Sequence, residues 1–280
     1  MTMSSLDPIF NQFIEQSGKL FALPDIYQKL DQLLQAENSS IKDIGFLISS
    51  DAALTAQVLK LANSPAFSFK ADISTIDRAI NLIGTQELKN LVLMEVIVKN
   101  FNNQPCSVIN PEDFWRRSSY LAIIAKKVAL YTKHSDPDRL FVCGVLHRIG
   151  VLIYCSVDPL ITQQVNNALL SDNLLALPNS SELSIELSIE QQILGFNYSE
   201  LSAKLLHYWK VPESIYLPIA YSAFPLSLKD KKLQKNTQLY LEDSFILYFA
   251  QLCSFLLEIQ ESEVLEADQL LEKVDPQIVT

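Results

Sequence analysis

Glycine supplies only 6 of the 280 residues, against a usual share of roughly 7%. A chain this short of glycine has few positions able to take a positive φ. Tight hairpins, Gly-rich phosphate loops and repeated β-blades are therefore excluded as its organising devices. Leucine, a strong helix former, occurs 44 times, which points to helices packed on helices. With 49% hydrophobic and 19% charged residues, the chain can bury a core and is not disordered in the main. The expected fold is all-α.

The formal net charge is −10, a field that repels nucleic acid and anionic lipid. Lys229, Lys231, Lys232 and Lys235 form a local basic run without interleaved aromatics, and read as a solvated linker. Cys106, Cys143, Cys155 and Cys253 show no C-x-x-C pairing and read as small buried hydrophobes in a reducing compartment. Asp7 and Glu15 interrupt the apolar stretch near the start, so no signal peptide is expected. The uncharged runs Ser214–Leu228 and Ser244–Leu257 fall short of the ~18 residues a spanning helix needs. A cytoplasmic protein without nucleic-acid or membrane partners is expected.

Helical spacing of apolar residues runs almost throughout. Ile26, Leu30, Leu33 and Leu34 follow Pro24, a first-turn proline. Ser40 and Asp51 are placed as N-caps, and Asp51 opens a helix that must stop near Asn63-Ser64-Pro65. Ile73 to Ile83 ends at Gly84, and Leu88 to Phe101 is apolar on nearly every side, hence a buried helix. The polar stretch Asn102–Asn110 separates two helical subdomains, about 20–103 and 110–225. Pro111 and Pro137 start further helices, the second carrying Phe141, Val145, Leu146, Ile149 and Leu152 as one element. Asp172–Ser188 reads as a polar loop before a helix over Ile189–Leu194, with helices near Ser199–Trp209 and Pro212–Ser222. Residues 226–280 form a Lys-rich linker and C-terminal helices, Leu239–Ile259 and an acidic one around Val264–Lys273.

Several motifs fall in a fixed order. Leu23-Pro24 comes first, then the segment from Asp51 through Leu54, Leu59, Leu61 and Ala62 to Asn63-Ser64, then Ile73 through Gly84. Phe114-Trp115-Arg116-Arg117-Ser118 and Gly144-Val-Leu146-His147-Arg148-Ile149-Gly150 follow. Glu190 through Gly195-Phe196-Asn-Tyr198 and Leu205-Leu206-His-Tyr-Trp209-Lys-Val-Pro212 complete the series. In this order they resemble the HDOD family, a helical offshoot of the HD phosphohydrolase superfamily, over about residues 20–225. The resemblance implies two packed helical subdomains of HDOD type with a C-terminal helical extension. Asp51, Asn63, Ser64, Trp115 and Trp209 are its structural signature. Asn63 and Ser64 read as polar ends of a helix, and the two tryptophans as apolar anchors.

The resemblance also implies where an HD hydrolase would hold its metal. A histidine would follow Phe-Trp-Arg, where Arg117 stands; a His-Asp pair would precede Ile-Gly, where His147-Arg148 stands. Another histidine would close Gly-Phe-x-x, where Tyr198 stands, and a pair would occupy Ser222-Ala223. Arginine is permanently protonated and offers no lone pair to a cation. His147 alone remains and reads as a satisfied core histidine. Arg117, His147, Arg148, Glu190, Tyr198 and Ser222 thus form a vestigial site, with no catalytic residue, metal or cofactor expected. Glu190 either pairs with Arg148, leaving Arg117 nearer solvent, or lies exposed on its helix. The implied function is a non-catalytic output or scaffold module of bacterial signalling, whose partner is an unidentified signalling protein or a small anionic ligand. The alternatives are a metal-dependent HD-type phosphohydrolase or phosphodiesterase, and a small-anion sensor holding its ligand with Arg117 and Arg148.

Overall fold

The structure, a computed structural model, describes residues 11, 13–16, 25–36, 40–63, 73–102, 108–171, 182–223 and 240–259. All regular structure among these residues is helical. Leu23-Pro24, Ser64, the Lys229–Lys235 run and the acidic helix around Val264–Lys273 lie outside them. The chain divides into two units, Phe21–Gln104 and a larger one of Met1–Leu20 with Pro105–Thr280.

The smaller unit holds α1 (Asp25–Gln35), α2 (Ile41–Ser49), α3 (Ala52–Ala62), α4 (Ile76–Ile83) and α5 (Thr85–Asn102). Short polar residues start these helices by taking up backbone donors that a helix end leaves orphaned. Ser40 and Asp43 form a capping box on α2. Asp51 accepts the Leu54 N–H at 2.9 Å, and Thr75 accepts that of Arg78 at 3.2 Å. Gly84 ends α4 at a φ of 88°, a conformation that costs any residue with a Cβ. α5 packs on α1, α3 and α4. It buries Leu88, Leu91, Val92, Leu93 and Ile97 almost completely, and its buried Lys89 pairs with Asp31 of α1.

Asn63 fastens the end of α3 to the approach to α4. Its Oδ1 accepts the Ile73 N–H at 2.7 Å, while its Nδ2 donates to the carbonyls of Ile73 at 2.7 Å and Leu59 at 2.8 Å. One side chain here replaces both halves of a backbone pairing between the end of α3 and the approach to α4. Asn63→Ala should therefore cost about 1–2 kcal/mol, measured as a lower urea midpoint at unchanged slope. An unchanged midpoint would contradict the structural role.

The larger unit holds α6 (Pro111–Tyr131), α7 (Pro137–Leu146), α8 (Ile149–Val157), α9 (Pro159–Ser171), α10 (Glu182–Leu194), α11 (Tyr198–Tyr208), α12 (Glu213–Tyr221) and α13 (Leu241–Ile259). α6 packs along α7 and α13, α8 on α11, and α12 on both α11 and α13. The α7–α8 stretch Pro137–Val157 is apolar and long enough to cross a membrane, yet 83% of its most apolar window is buried inside this unit. It is the hydrophobic centre. Trp209 is buried at the end of α11, its indole N–H without a partner among the described residues, in keeping with an apolar anchor. Trp115 is half-buried, edge-on to Phe114 at 4.9 Å between centroids.

Three expectations are corrected. The helix begun by Pro137 is two helices, because at its middle the Gly150 N–H donates to Ser202 Oγ of α11 at 2.7 Å rather than into its own helix. The stretch Asp172–Ser188 is not loop to its end, since α10 begins at Glu182. Glu182, Glu186 and Glu190 recur every fourth residue, a helical spacing hidden by the polar composition. Cys155 is disulfide-bonded rather than a free buried hydrophobe, while Cys143 and Cys253 are free; Cys106 lies outside the described residues.

The C-terminal helix is built into this unit by charge as well as by packing. Asp243 at the start of α13 is buried and pairs with His134 Nε2 and Arg139 Nη1, each at 2.8 Å. Arg139 also donates to the Ser214 carbonyl at 2.6 Å and pairs with Asp136 at 3.1 Å.

Candidate functional site

Helices α6, α8, α9, α10, α11 and α13 and the His147-Arg148 turn line one cavity of about 440 Å³ in the larger unit. The two glycines bracketing that turn explain its placement. A Cβ on Gly144 would lie 2.6 Å from the Ala122 Cα of α6, and one on Gly150 would lie 2.2 Å from the Tyr198 carbonyl oxygen of α11. Backbones approach this closely only where no Cβ intervenes. The motif Gly144-Val-Leu-His-Arg-Ile-Gly150 thus clamps its central pair between α6 and α11.

Of the residues singled out from the sequence, Arg117, His147, Arg148 and Tyr198 line the cavity. Arg117 is exposed on α6. His147 is buried, and its Nδ1 lies 2.6 Å from the Gly144 carbonyl. A carbonyl can only accept, so Nδ1 carries the proton and Nε2 keeps a free lone pair. Burial, then the adjacent Arg148 charge, hold its pKa down to about 3 despite that hydrogen bond. The ring is a neutral acceptor.

Arg148 does not pair with Glu190. Its Nη1 donates to Glu186 Oε2 at 3.1 Å and its Nη2 to Glu186 Oε1, a fork-to-fork pair. Its guanidinium carbon sits 4.7 Å from the centroid of the Tyr198 ring, within cation–π range. Burial disfavours the charge, but Glu186 with Tyr198, Tyr154 and Glu190 together outweigh it and hold the arginine pKa above its ordinary value.

Glu190 faces elsewhere, which is why the expected pair is absent. Its Oε2 accepts the Tyr198 backbone N–H at 2.7 Å and its Oε1 accepts the Tyr154 hydroxyl at 2.8 Å. It therefore caps the first donor of α11, beside the Asn197–Glu200 capping box. Fully buried, it is not exposed on its helix either. Its pKa is pushed up to about 8, by burial first and then by the Glu186 charge, against the two hydrogen bonds and Arg148. Ser222 lies behind the cavity wall, accepting from Gln251 Nε2 at 3.1 Å, while Gln251 Oε1 accepts the Tyr198 hydroxyl at 3.4 Å.

Glu186, Tyr154 and Gln251 were missed from the sequence. The first stood in the four-residue glutamate repeat, and the last as an amide inside the apolar run Ser244–Leu257.

The Arg148–Glu186 pair is 30% and 14% exposed in its two side chains. It falls between exposed pairs, worth about 0–1 kcal/mol, and fully buried ones, where stranding a partner costs about 3–5 kcal/mol. A double-mutant cycle of Arg148→Met and Glu186→Gln should give a coupling of about 1–2 kcal/mol. Additive losses would contradict the pairing.

These donors do not fit a divalent metal. Among the described residues no three His, Cys, Asp or Glu side chains are grouped to hold one. The lone pair of His147 has the Arg148 cation as its neighbour, and burial keeps the Tyr198 phenol protonated.

The HDOD domain family matches residues 20–225. The chain belongs to the HDOD family. Among solved structures, this HDOD chain is similar to an HDOD domain protein of unknown function from Geobacter sulfurreducens, 22% identical, with 94% of this chain and 83% of that one covered and a TM-score of 0.68. It is also similar to a Shewanella amazonensis SB2B protein provisionally named a phosphohydrolase. There the identity is 24%, the coverage 95% and 87%, and the TM-score 0.70. At these identities the likeness is one of fold. An uncharacterized protein of Treponema pallidum (strain Nichols) is 24% identical over 208 residues, 71% of this chain, and the match spans 36% of that relative's length.

Proposed function

We propose that this HDOD chain is a non-catalytic output or scaffold module of bacterial signal transduction, working through protein–protein or small-ligand binding. The observation that carries this reading is Arg148. It stands where the resemblance places a metal-binding carboxylate, and it is held in the cavity by Glu186 and the Tyr198 ring. Positive charge occupies the place where a dication would need negative charge. The same pair speaks against a small-anion sensor, because the Arg148 fork is already filled by a carboxylate. The provisional names of fold neighbours point both ways: the Shewanella protein to phosphohydrolases, and a Marinobacter aquaeolei VT8 protein to signal transduction.

The reading expects no hydrolysis above background of phosphomonoester or cyclic-dinucleotide substrates, with Mn²⁺ or Mg²⁺ added. Turnover that is abolished by His147→Ala would overturn it.

A further inference from the structure

Three polar atoms on the cavity wall are left without a protein partner among the described residues. They are the Ser118 and Ser254 hydroxyls and His147 Nε2, on side chains belonging to residues 1%, 6% and 2% exposed. Ser119, one residue along α6, donates to the Trp115 carbonyl at 2.7 Å, and Ser202 of α11 donates to the Tyr198 carbonyl at 2.7 Å. Ser118 and Ser254 make no such bond, although both are helical. All three belong to residues that line the cavity, and none is a buried atom shut off from it, so each is open to bond a molecule held there.

The charges around the cavity narrow what that can be. Arg148 is bound by Glu186, Asp113 pairs with Arg116 at 2.9 Å, and the exposed Arg117 carries an interaction of its own. What remains is one neutral acceptor, two hydroxyls and the Asn166 amide able to give or take, and apolar wall from Phe114, Leu121, Val151 and Leu169. A volume of about 440 Å³ lies in the range of small-molecule sites. We propose that this cavity binds an uncharged molecule of metabolite size with an apolar body, which donates a hydrogen bond to His147 Nε2 and meets the Ser118 and Ser254 hydroxyls. The inference rests on the non-catalytic reading, and names the ligand class of that same pocket.

The test uses the full chain with ¹⁵N-labelled histidine and a panel of probes. The uncharged arm holds N–H heterocycles, primary amides and polyols; the anionic arm holds inorganic phosphate and acetate. Members of the uncharged arm should move the His147 ¹⁵Nε2 resonance, and the anions at equal concentration should not. The Ser118→Ala/Ser254→Ala variant should melt no lower than the parent, since it deletes no hydrogen bond between described residues. It should also bind the active probes about tenfold more weakly, the loss of roughly one hydrogen bond. A stronger response to phosphate or acetate would overturn the inference. So would no response to any uncharged probe, or unchanged probe affinity in the double variant. Phosphate binding without hydrolysis would remove this inference and leave the non-catalytic reading standing, whereas metal-dependent turnover would remove that reading.

Discussion

Gly150→Ala is expected to destabilise the protein by about 3 kcal/mol or more, at the upper end of overpacking losses. A methyl there would sit 2.2 Å from the Tyr198 carbonyl oxygen and 3.0 Å from the Ser202 nitrogen, both backbone atoms of α11. Neither can turn aside as a flexible side chain would, so α8 and α11 must separate. Separation breaks the Gly150 N–H bond to Ser202 Oγ and loosens the turn that places His147 and Arg148. The gain of about 1 kcal/mol that alanine brings to a helix interior is too small to offset this. Chemical denaturation of parent and variant measures the difference. A variant of equal or greater stability would contradict the close approach.

Stability should fall as pH rises from about 5 to 8, by as much as about 1.4 kcal/mol per pH unit from Glu190 alone. Its folded pKa, pushed up to about 8, lies above the unfolded value of about 4.3. The folded state therefore binds this proton more tightly. The contribution is present in full below the unfolded value and is lost as pH climbs through the folded one. His147, held down to about 3, acts oppositely below about pH 6.5, so the decisive curve is the difference between parent and Glu190→Gln. Glutamine keeps an acceptor for the Tyr198 N–H without a charge to bury, and should remove the slope. Parallel curves for the two proteins would show that Glu190 titrates as an ordinary carboxylate.

What was legible in the sequence was local. Prolines at the first turns of α6 and α7, the Asp51 cap and the Gly84 stop all act on backbone groups a few residues away. Their chemistry can be read where it stands. What escaped was set across long separations. The break after Leu146 depends on Ser202, 52 residues from the Gly150 N–H it accepts. The anchoring of α13 depends on Asp243 meeting Arg139, 104 residues away. The site shows the same division. His147 and Arg148 were identifiable from their motif, yet the partner of Arg148 was misassigned by one helical turn. Glu186 and Glu190 share a face of α10 at that spacing, and only the packing of α11 decides which carboxylate caps a helix and which meets the guanidinium.

On the proposed reading, the cavity of this HDOD chain serves binding in place of metal chemistry. Elemental analysis of the purified protein, after exposure to Mn²⁺, Fe²⁺, Ni²⁺ and Zn²⁺ and removal of loosely held ions, tests it most directly. Well under one metal per chain is expected, unchanged in His147→Ala. About one equivalent of a transition metal per chain, lost in His147→Ala, would contradict it.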